Sequence, residues 1–345
     1  MLFSILLILF SVLILTPPFC TQKICGLNHK RNYGTFVKYL AAILVIVAHL
    51  TGIHRISLNL VLECSFGWCS VSLFFFYSGY GLMNGLQLKG AEYWDDFLRK
   101  RFTKVLIPLL FVYVLYYICE VCMGTERMSF CDILGVFFSD DPYLPFSWFV
   151  SWLLIIYILF YLAGKCSFFQ FGFVKSFAFL FSIFICFILF SNMGAWVKVS
   201  MPCFLFGVLY RKKETEFLDI PKCLSVIVLF ASLSFFLIAF NWIRICSFIG
   251  CPNKIIYSSV PLYGGSLAFC VYYVMLSKYV KEVNIKKIGL LNGSYELYLC
   301  QGIVFMLLSA VIPDSYLYYL CCIIGCIVIG YVVHRILSAV LSKVI

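Results

Sequence analysis

Apolar runs of about 15–20 residues recur along the whole chain, the length a helix needs to cross the hydrocarbon core of a bilayer. They constrain the fold more than any other feature. A lipid-embedded segment must satisfy its own backbone N–H and C=O groups, which leaves helices or closed barrels. The runs place spans near 36–53, 67–86, 105–123, 147–163, 177–193, 197–210, 223–241, 257–276, 293–311 and 316–337. Composition agrees: 63% of residues are hydrophobic and 12% charged, against roughly a quarter charged in a soluble domain. The expected fold is all-α, a polytopic transmembrane bundle of about ten spans, in one membrane domain over 33–345.

Charge supplies the topology. With both ends of the bundle inside, 21 of the 26 Lys and Arg fall on inside segments, and only Arg55, Arg127, Lys198, Arg244 and Lys254 fall outside. This follows the positive-inside rule. The net charge of +11 therefore reports orientation, and dispersed charges with no soluble basic domain argue against a nucleic-acid partner. Residues 1–32 form a hydrophobic segment and a basic linker. Within it, 1–20 reads as an extra N-terminal helix, an uncleaved signal-like anchor, or an upstream start. The 18 cysteines lie mostly inside spans, as small apolar packing residues do. Cys119 and Cys122 lack the further ligands of a zinc site, so no metal is expected. Cys64/Cys69 and Cys246/Cys251 face outside and can pair in an oxidising compartment.

Ionisable groups inside a span are costly and point to function. Lys38 and His49 share one apolar run, FVKYLAAILVIVAHLTG. Residues eleven apart on a helix differ by about 20° in direction and about 16 Å in height, so the two share a face. An imidazole with a pKa near neutrality can take a proton from a hydroxyl and return it. For Lys38 the alternative is snorkelling to the headgroups. Further along, Ser78-Gly79-Tyr80-Gly81 interrupts a span with small residues that permit close helix approach or local unwinding. The segment from Gln87 to Lys104 alternates Tyr93, Trp94, Phe97 and Phe102 with charged residues and reads as an interfacial helix. Its Arg99, Lys100, Arg101 and Lys104 either anchor topology or hold the phosphates of a donor such as coenzyme A. The loop from Gly124 to Pro145 carries Glu126, Asp132, Asp140 and Asp141 and is expected to be solvated, with an acceptor-facing role as the alternative. In LNGSYELYLCQ, Glu296 either pairs with an interior Lys or His or serves as a helix N-terminal charge.

The basic-x10-His helix, FFFYSGY, KRFTKVLIP, SWFVSWLLIIYILFYL, MPCFLFGVLYRKK and NGSYELYLCQ occur in the order found in the membrane-bound acyltransferase 3 family. The resemblance covers residues 33–340. It implies about ten helices, acyl-CoA as donor and carbohydrate hydroxyls as acceptors. By resemblance, His49 matches the essential histidine and Lys38 the basic residue of the first motif, usually arginine. Ser78, Gly79 and Tyr80 match the SGF/SGY turn, and Arg101 and Pro108 the Arg-…-Pro segment. Lysine at 38 lacks the bidentate fork of arginine, and Gln301 stands where many members carry histidine.

The resemblance implies a multi-pass O-acyltransferase of the bacterial inner membrane. Acetyl-CoA would be the donor substrate, and a surface or capsular polysaccharide or its lipid-linked precursor the acceptor. His49 and Lys38 are the expected catalytic residues. Ser78, Tyr80, Arg99, Arg101, Lys104 and Glu296 are expected to bind substrate and donor, with membrane lipid around the bundle. No soluble esterase-like domain of the kind some members carry is expected, so a relay through a second active site would need another protein. The rival readings are a non-enzymatic carrier, such as a lipid-linked sugar flippase or small-solute transporter, and an inactive partner of a glycan pathway.

Overall fold

The structure is a computed structural model that describes residues 27, 31–53, 66–124, 128–139, 141–165, 172–242, 245, 254–279 and 292–344. The N-terminal run 1–20, Cys64, Cys246 and Cys251 lie outside the described residues. Among the described residues every regular element is helical. In chain order these are α1 (Arg31–Ile53), α2 (Phe66–Lys89), a 3₁₀ turn (Gly90–Trp94), α3 (Phe97–Met123), α4 (Phe130–Gly135), α5 (Trp148–Lys165) and α6 (Phe173–Phe190). There follow α7 (Ala195–Ser200), α8 (Pro202–Lys212), α9 (Glu214–Leu218), α10 (Lys222–Phe240), α11 (Lys254–Ser277), α12 (Ser294–Ser309) and α13 (Tyr316–Val344).

Each expected span coincides with helix, with one exception in continuity. The run 197–210 is not one helix but two, α7 and α8, of six and eleven residues. Pro202 sits at the first turn of α8, where its missing N–H costs nothing but where it cannot continue a preceding helix. Among the described residues, six helices are long and apolar enough to cross a membrane: α1, α3, α5, α6, α10 and α13. Their outer faces confirm the inverted solvent preference. Leu110, Ile183, Ile227 and Val328 are all more than half exposed, surface that water would penalise and hydrocarbon does not.

The interfacial segment also differs from expectation. Residues 97–104 are the first two turns of α3, which runs unbroken to Met123. Its 27 residues extend about 40 Å, longer than the roughly 30 Å apolar core, so the basic first turns project into the headgroup layer. Pro108 lies inside this helix and removes one ladder donor. The Tyr295 hydroxyl donates to the Val105 carbonyl one turn before it at 2.9 Å and ties α12 to α3.

The chain packs as two compact units. The first joins the described parts of 1–88 and 195–291. Here α10 packs along α11, and the buried Lys278 ammonium, just past the end of α11, donates at 3.0 Å to the Ser225 hydroxyl in the first turn of α10. The Tyr33 hydroxyl donates to the Tyr273 carbonyl at 2.8 Å and ties α1 to α11. Cys69, Cys203 and Cys270 meet in the core from α2, α8 and α11, fully buried. Cys69 is thus a free packing residue, and every cysteine among the described residues is free. The second unit joins 89–194 with 292–345. There α12 packs along α13, and α3 contacts both α5 and α12. Trp94, from the 3₁₀ turn, fills the place a side chain at Gly164 would take and packs against Phe160 and Phe173.

In the first unit the backbones of α2 and α8 approach closely. A Cβ at Gly79 would collide with the Phe204 carbonyl oxygen, and one at Gly207 with the Phe76 carbonyl oxygen. The two glycines are reciprocal, each receiving the other helix's backbone, which is the use small residues serve between membrane helices. At Gly81 a Cβ would meet nothing within 4 Å. Gly79→Ala and Gly207→Ala should each abolish a monodisperse peak in detergent size-exclusion chromatography. Gly81→Ala should elute as wild type.

Candidate functional site

α1 is continuous from Arg31 to Ile53, so Lys38 and His49 do share one face, about 16 Å apart along the axis. Both side chains are half-buried, neither lost to the core nor left to solvent. Ala48, beside His49, lies where α2 comes close: a Cβ at Gly67 would stand 3.3 Å from the Ala48 Cβ. Lower on the pair, a Cβ at Gly34 would stand 3.1 Å from the Tyr77 ring. α1 and α2 therefore run antiparallel and closely spaced along the stretch between Lys38 and His49.

The SGY segment lies within α2, which is unbroken from Phe66 to Lys89. Of the two uses its glycines permit, close approach is the one realised. Ser78 is half-buried. Tyr80 is buried, and its hydroxyl faces both carboxylate oxygens of Glu214, at 3.2 and 3.0 Å. Glu214 opens α9 and is only 3% exposed. Arg211 completes the group. Its Nη1 lies 3.1 Å from Glu214 Oε2, its Nε donates to Asn84 Oδ1 at 2.8 Å, and its guanidinium lies over the Tyr80 ring. A buried carboxylate is tolerable only when paired and hydrogen-bonded, and this one is held on both counts. Neither Glu214 nor Arg211 stands out in the sequence, where RKKETE reads as a solvated charge run.

In the second unit, the basic cluster is already engaged. Arg99 and Lys100 both reach Asp96, at 3.2 and 2.9 Å, and Arg101 donates to the Tyr93 hydroxyl at 2.8 Å while its guanidinium lies over that ring. The hydrogen bond from Lys100, then the charge of Arg99, hold the Asp96 carboxyl below the usual carboxylate range. A depressed carboxylate contributes at neutral pH and loses its contribution as pH falls through its own pKa, so the cluster keeps its geometry at any physiological pH. Lys104 is exposed on the next turn of α3.

Glu296 sits in the first turn of α12 and also pairs with a histidine: His334 Nδ1 of α13 lies 3.2 Å from its Oε1. Both expected uses of this carboxylate are thus realised together. The contact depends on glycines, since a Cβ at Gly330 would press on the Leu297 backbone and one at Gly293 on His334 itself. His334 was not distinguished by sequence. Gln301 is fully buried and donates from Nε2 to the Tyr298 carbonyl at 2.9 Å.

A multi-span helical chain with a half-buried imidazole and lysine on one helix face fits a membrane acyltransferase. The chain belongs to the acyltransferase 3 family: the family model described as an acyltransferase domain matches residues 32–335. No curated protein and no solved structure matches it.

The Tyr80 group has a clear energetic signature. Arg211→Ala removes the cation beside the buried Glu214 carboxylate and should destabilise the protein by about 3–5 kcal/mol. Tyr80→Phe, which removes one hydrogen bond and keeps the ion pair, should cost about 1 kcal/mol. Thermal unfolding followed by thiol-reactive dye or light scattering ranks the two.

Proposed function

We propose that this acyltransferase moves an acetyl group from acetyl-CoA to a hydroxyl of a surface or capsular polysaccharide, or of its lipid-linked precursor, in the bacterial inner membrane. The observation that carries the reading is the placement of His49 and Lys38 on one face of the unbroken helix α1, both half-buried, in a chain of this family.

The donor approaches from the inner side, and its thin pantetheine arm carries the thioester along α1 towards His49. Lys38, nearer that side, offers a point charge to a donor phosphate. His49 takes the proton from the sugar hydroxyl as its oxygen attacks the thioester carbonyl. The tetrahedral oxyanion needs a hydrogen-bond donor; Ser78, next to Tyr77, stands level with the Lys38 end of α1 and so near the donor's entry, and Tyr80 is engaged on Glu214, so the oxyanion donor comes from the His49 end of the cleft. Collapse breaks the carbon–sulfur bond, and the departing thiolate takes the proton from the His49 imidazolium. The variant in which His49 itself carries the acyl group between two steps uses the same groups. Separately, Arg99, Arg101 and Lys104 present positive charge to phosphates at the headgroup level, with Asp96 setting the pose of Arg99.

His49→Ala should abolish acyl transfer while expression and membrane insertion stay at wild-type level. Lys38→Arg should retain transfer, and Lys38→Ala should raise the KM for acetyl-CoA about tenfold, the loss of one charge-assisted contact. Alkali-labile acetate released from surface glycan of wild-type, deletion and complemented cells, measured by mass spectrometry, reads the first expectation. Transfer from labelled acetyl-CoA by purified protein reads the second. Wild-type acetate levels in the His49→Ala strain would remove His49 from the mechanism.

A further inference from the structure

The connection between α3 and α5 is expected from its carboxylates to be solvated, yet its described part, 128–139, turns apolar side chains outward. Phe130 is 73% exposed, Leu134 57% and Phe138 46%. The helical sense of α4 carries on past Gly135 through backbone bonds from Val136 to Asp132, Phe137 to Leu134 and Ser139 to Val136. Phe130, Leu134 and Phe138 recur every fourth residue and so share one side, while Ser129, Asp132 and Ser139 fall on the other. The segment is amphipathic, and its apolar side is the one left uncovered.

Neighbouring helices fix the level of this surface. The Phe138 ring meets the Trp152 ring of α5, and Trp152 meets Phe184 of α6. Trp152 lies one turn inside the start of α5, and Phe184 lies six residues before the end of α6, about 6 and 9 Å inward along those helices. The segment therefore reaches down the flank of α5 and does not stand over its end. On α3, which leads into the segment, Val114, Ile118, Val121 and Met123 form an exposed apolar side, and Phe187 and Phe190 do so on α6. The polar groups of the segment are closed on one another. The Ser129 hydroxyl oxygen accepts from the Asp132 N–H at 3.2 Å, and the Asp132 carboxylate accepts from the Ser129 N–H at 3.3 Å and the Ser129 hydroxyl at 2.6 Å. At the other end the Ser139 hydroxyl donates to the Val136 carbonyl at 2.7 Å. A segment that satisfies its own polar groups tolerates a place where water is scarce.

We propose that the segment 128–139 is an interfacial foot, with Phe130, Leu134 and Phe138 seated among the phospholipids of the monolayer opposite Arg99 and Lys104. The inference goes beyond the acyl-transfer reading and does not depend on it. An exposed apolar patch marks either a protein contact or a membrane contact. Lipid is the occupant here because the patch continues the apolar sides of α3 and α6, which hydrocarbon covers along their whole length. Depth agrees. An amphipathic segment lying in the interface buries its apolar face about 5–10 Å into the boundary between headgroups and acyl chains, the level at which Phe138 meets Trp152. The basic end of α3 faces the cytoplasm by the charge rule, so the foot rests in the outer monolayer.

The experiment uses the full-length protein in the membranes of the cells that produce it. The photo-crosslinking residue p-benzoylphenylalanine replaces Phe130, Leu134 or Ser139, one position at a time. Phe130 and Leu134 are more than half exposed and Ser139 is exposed as well, so the larger ring displaces nothing from the core and the variants fold. After irradiation the adducts are identified by mass spectrometry. The expected result is phospholipid adducts from positions 130 and 134, with that signal lost at 139 on the polar side. Adducts joining 130 and 134 to a second copy of this chain, or to another protein, would make the patch a protein interface and overturn the proposal. Absence of any adduct at both positions places the face in water and overturns it too. Equal lipid yield at 139 and 130 removes the one-sided seating on which the proposal stands.

Discussion

Hydrocarbon offers no hydrogen-bond partner, and the structure depends on that constraint throughout. Every backbone group must be satisfied within a helix or by a neighbour, and the Tyr295 hydroxyl supplies such a cross-helix partner at the Val105 carbonyl. The same constraint governs side chains. Glu214 is admitted to the interior because Tyr80 and Arg211 both reach it, and Glu296 because His334 does. Polar groups in this protein therefore come in assemblies whose members are far apart in sequence, such as Tyr80 and Glu214 at 134 residues.

Close packing is the means by which those assemblies form. Without a hydrophobic force between helices in lipid, backbones approach only where side chains are absent. Gly79 and Gly207 bring α2 and α8 together, and the same approach sets Tyr80 beside the end of α8 where Arg211 and Glu214 emerge. In the second unit Gly330 does the equivalent for Glu296 and His334. Packing and chemistry are thus linked through glycines that carry no chemistry of their own.

The class of fold was legible from apolar run length, and the Lys38–His49 face from helical periodicity, because both are local properties of the chain. Long-range pairing was not. RKKETE looks like a solvated run, and only the approach of Tyr80 shows that Glu214 is buried. His334 is a lone histidine in an apolar span until Gly330 lets α13 settle on α12. Where the local reading failed, at 197–210, the signal was present: Pro202 starts a helix and does not continue one.

Trp94 in the place of a side chain at Gly164 has a mechanical consequence. The membrane-surface stretch before α3 cannot lift away from α5 without leaving an indole-sized void beside Gly164, with Phe160 and Phe173 stripped of a neighbour. Its depth is thereby fixed from within the protein and not by the lipid. When the bilayer thins or thickens, the mismatch at this edge falls on the lipid, which must stretch or compress to meet a fixed aromatic rim. The protein thus sets the local membrane thickness at the side where its basic residues stand.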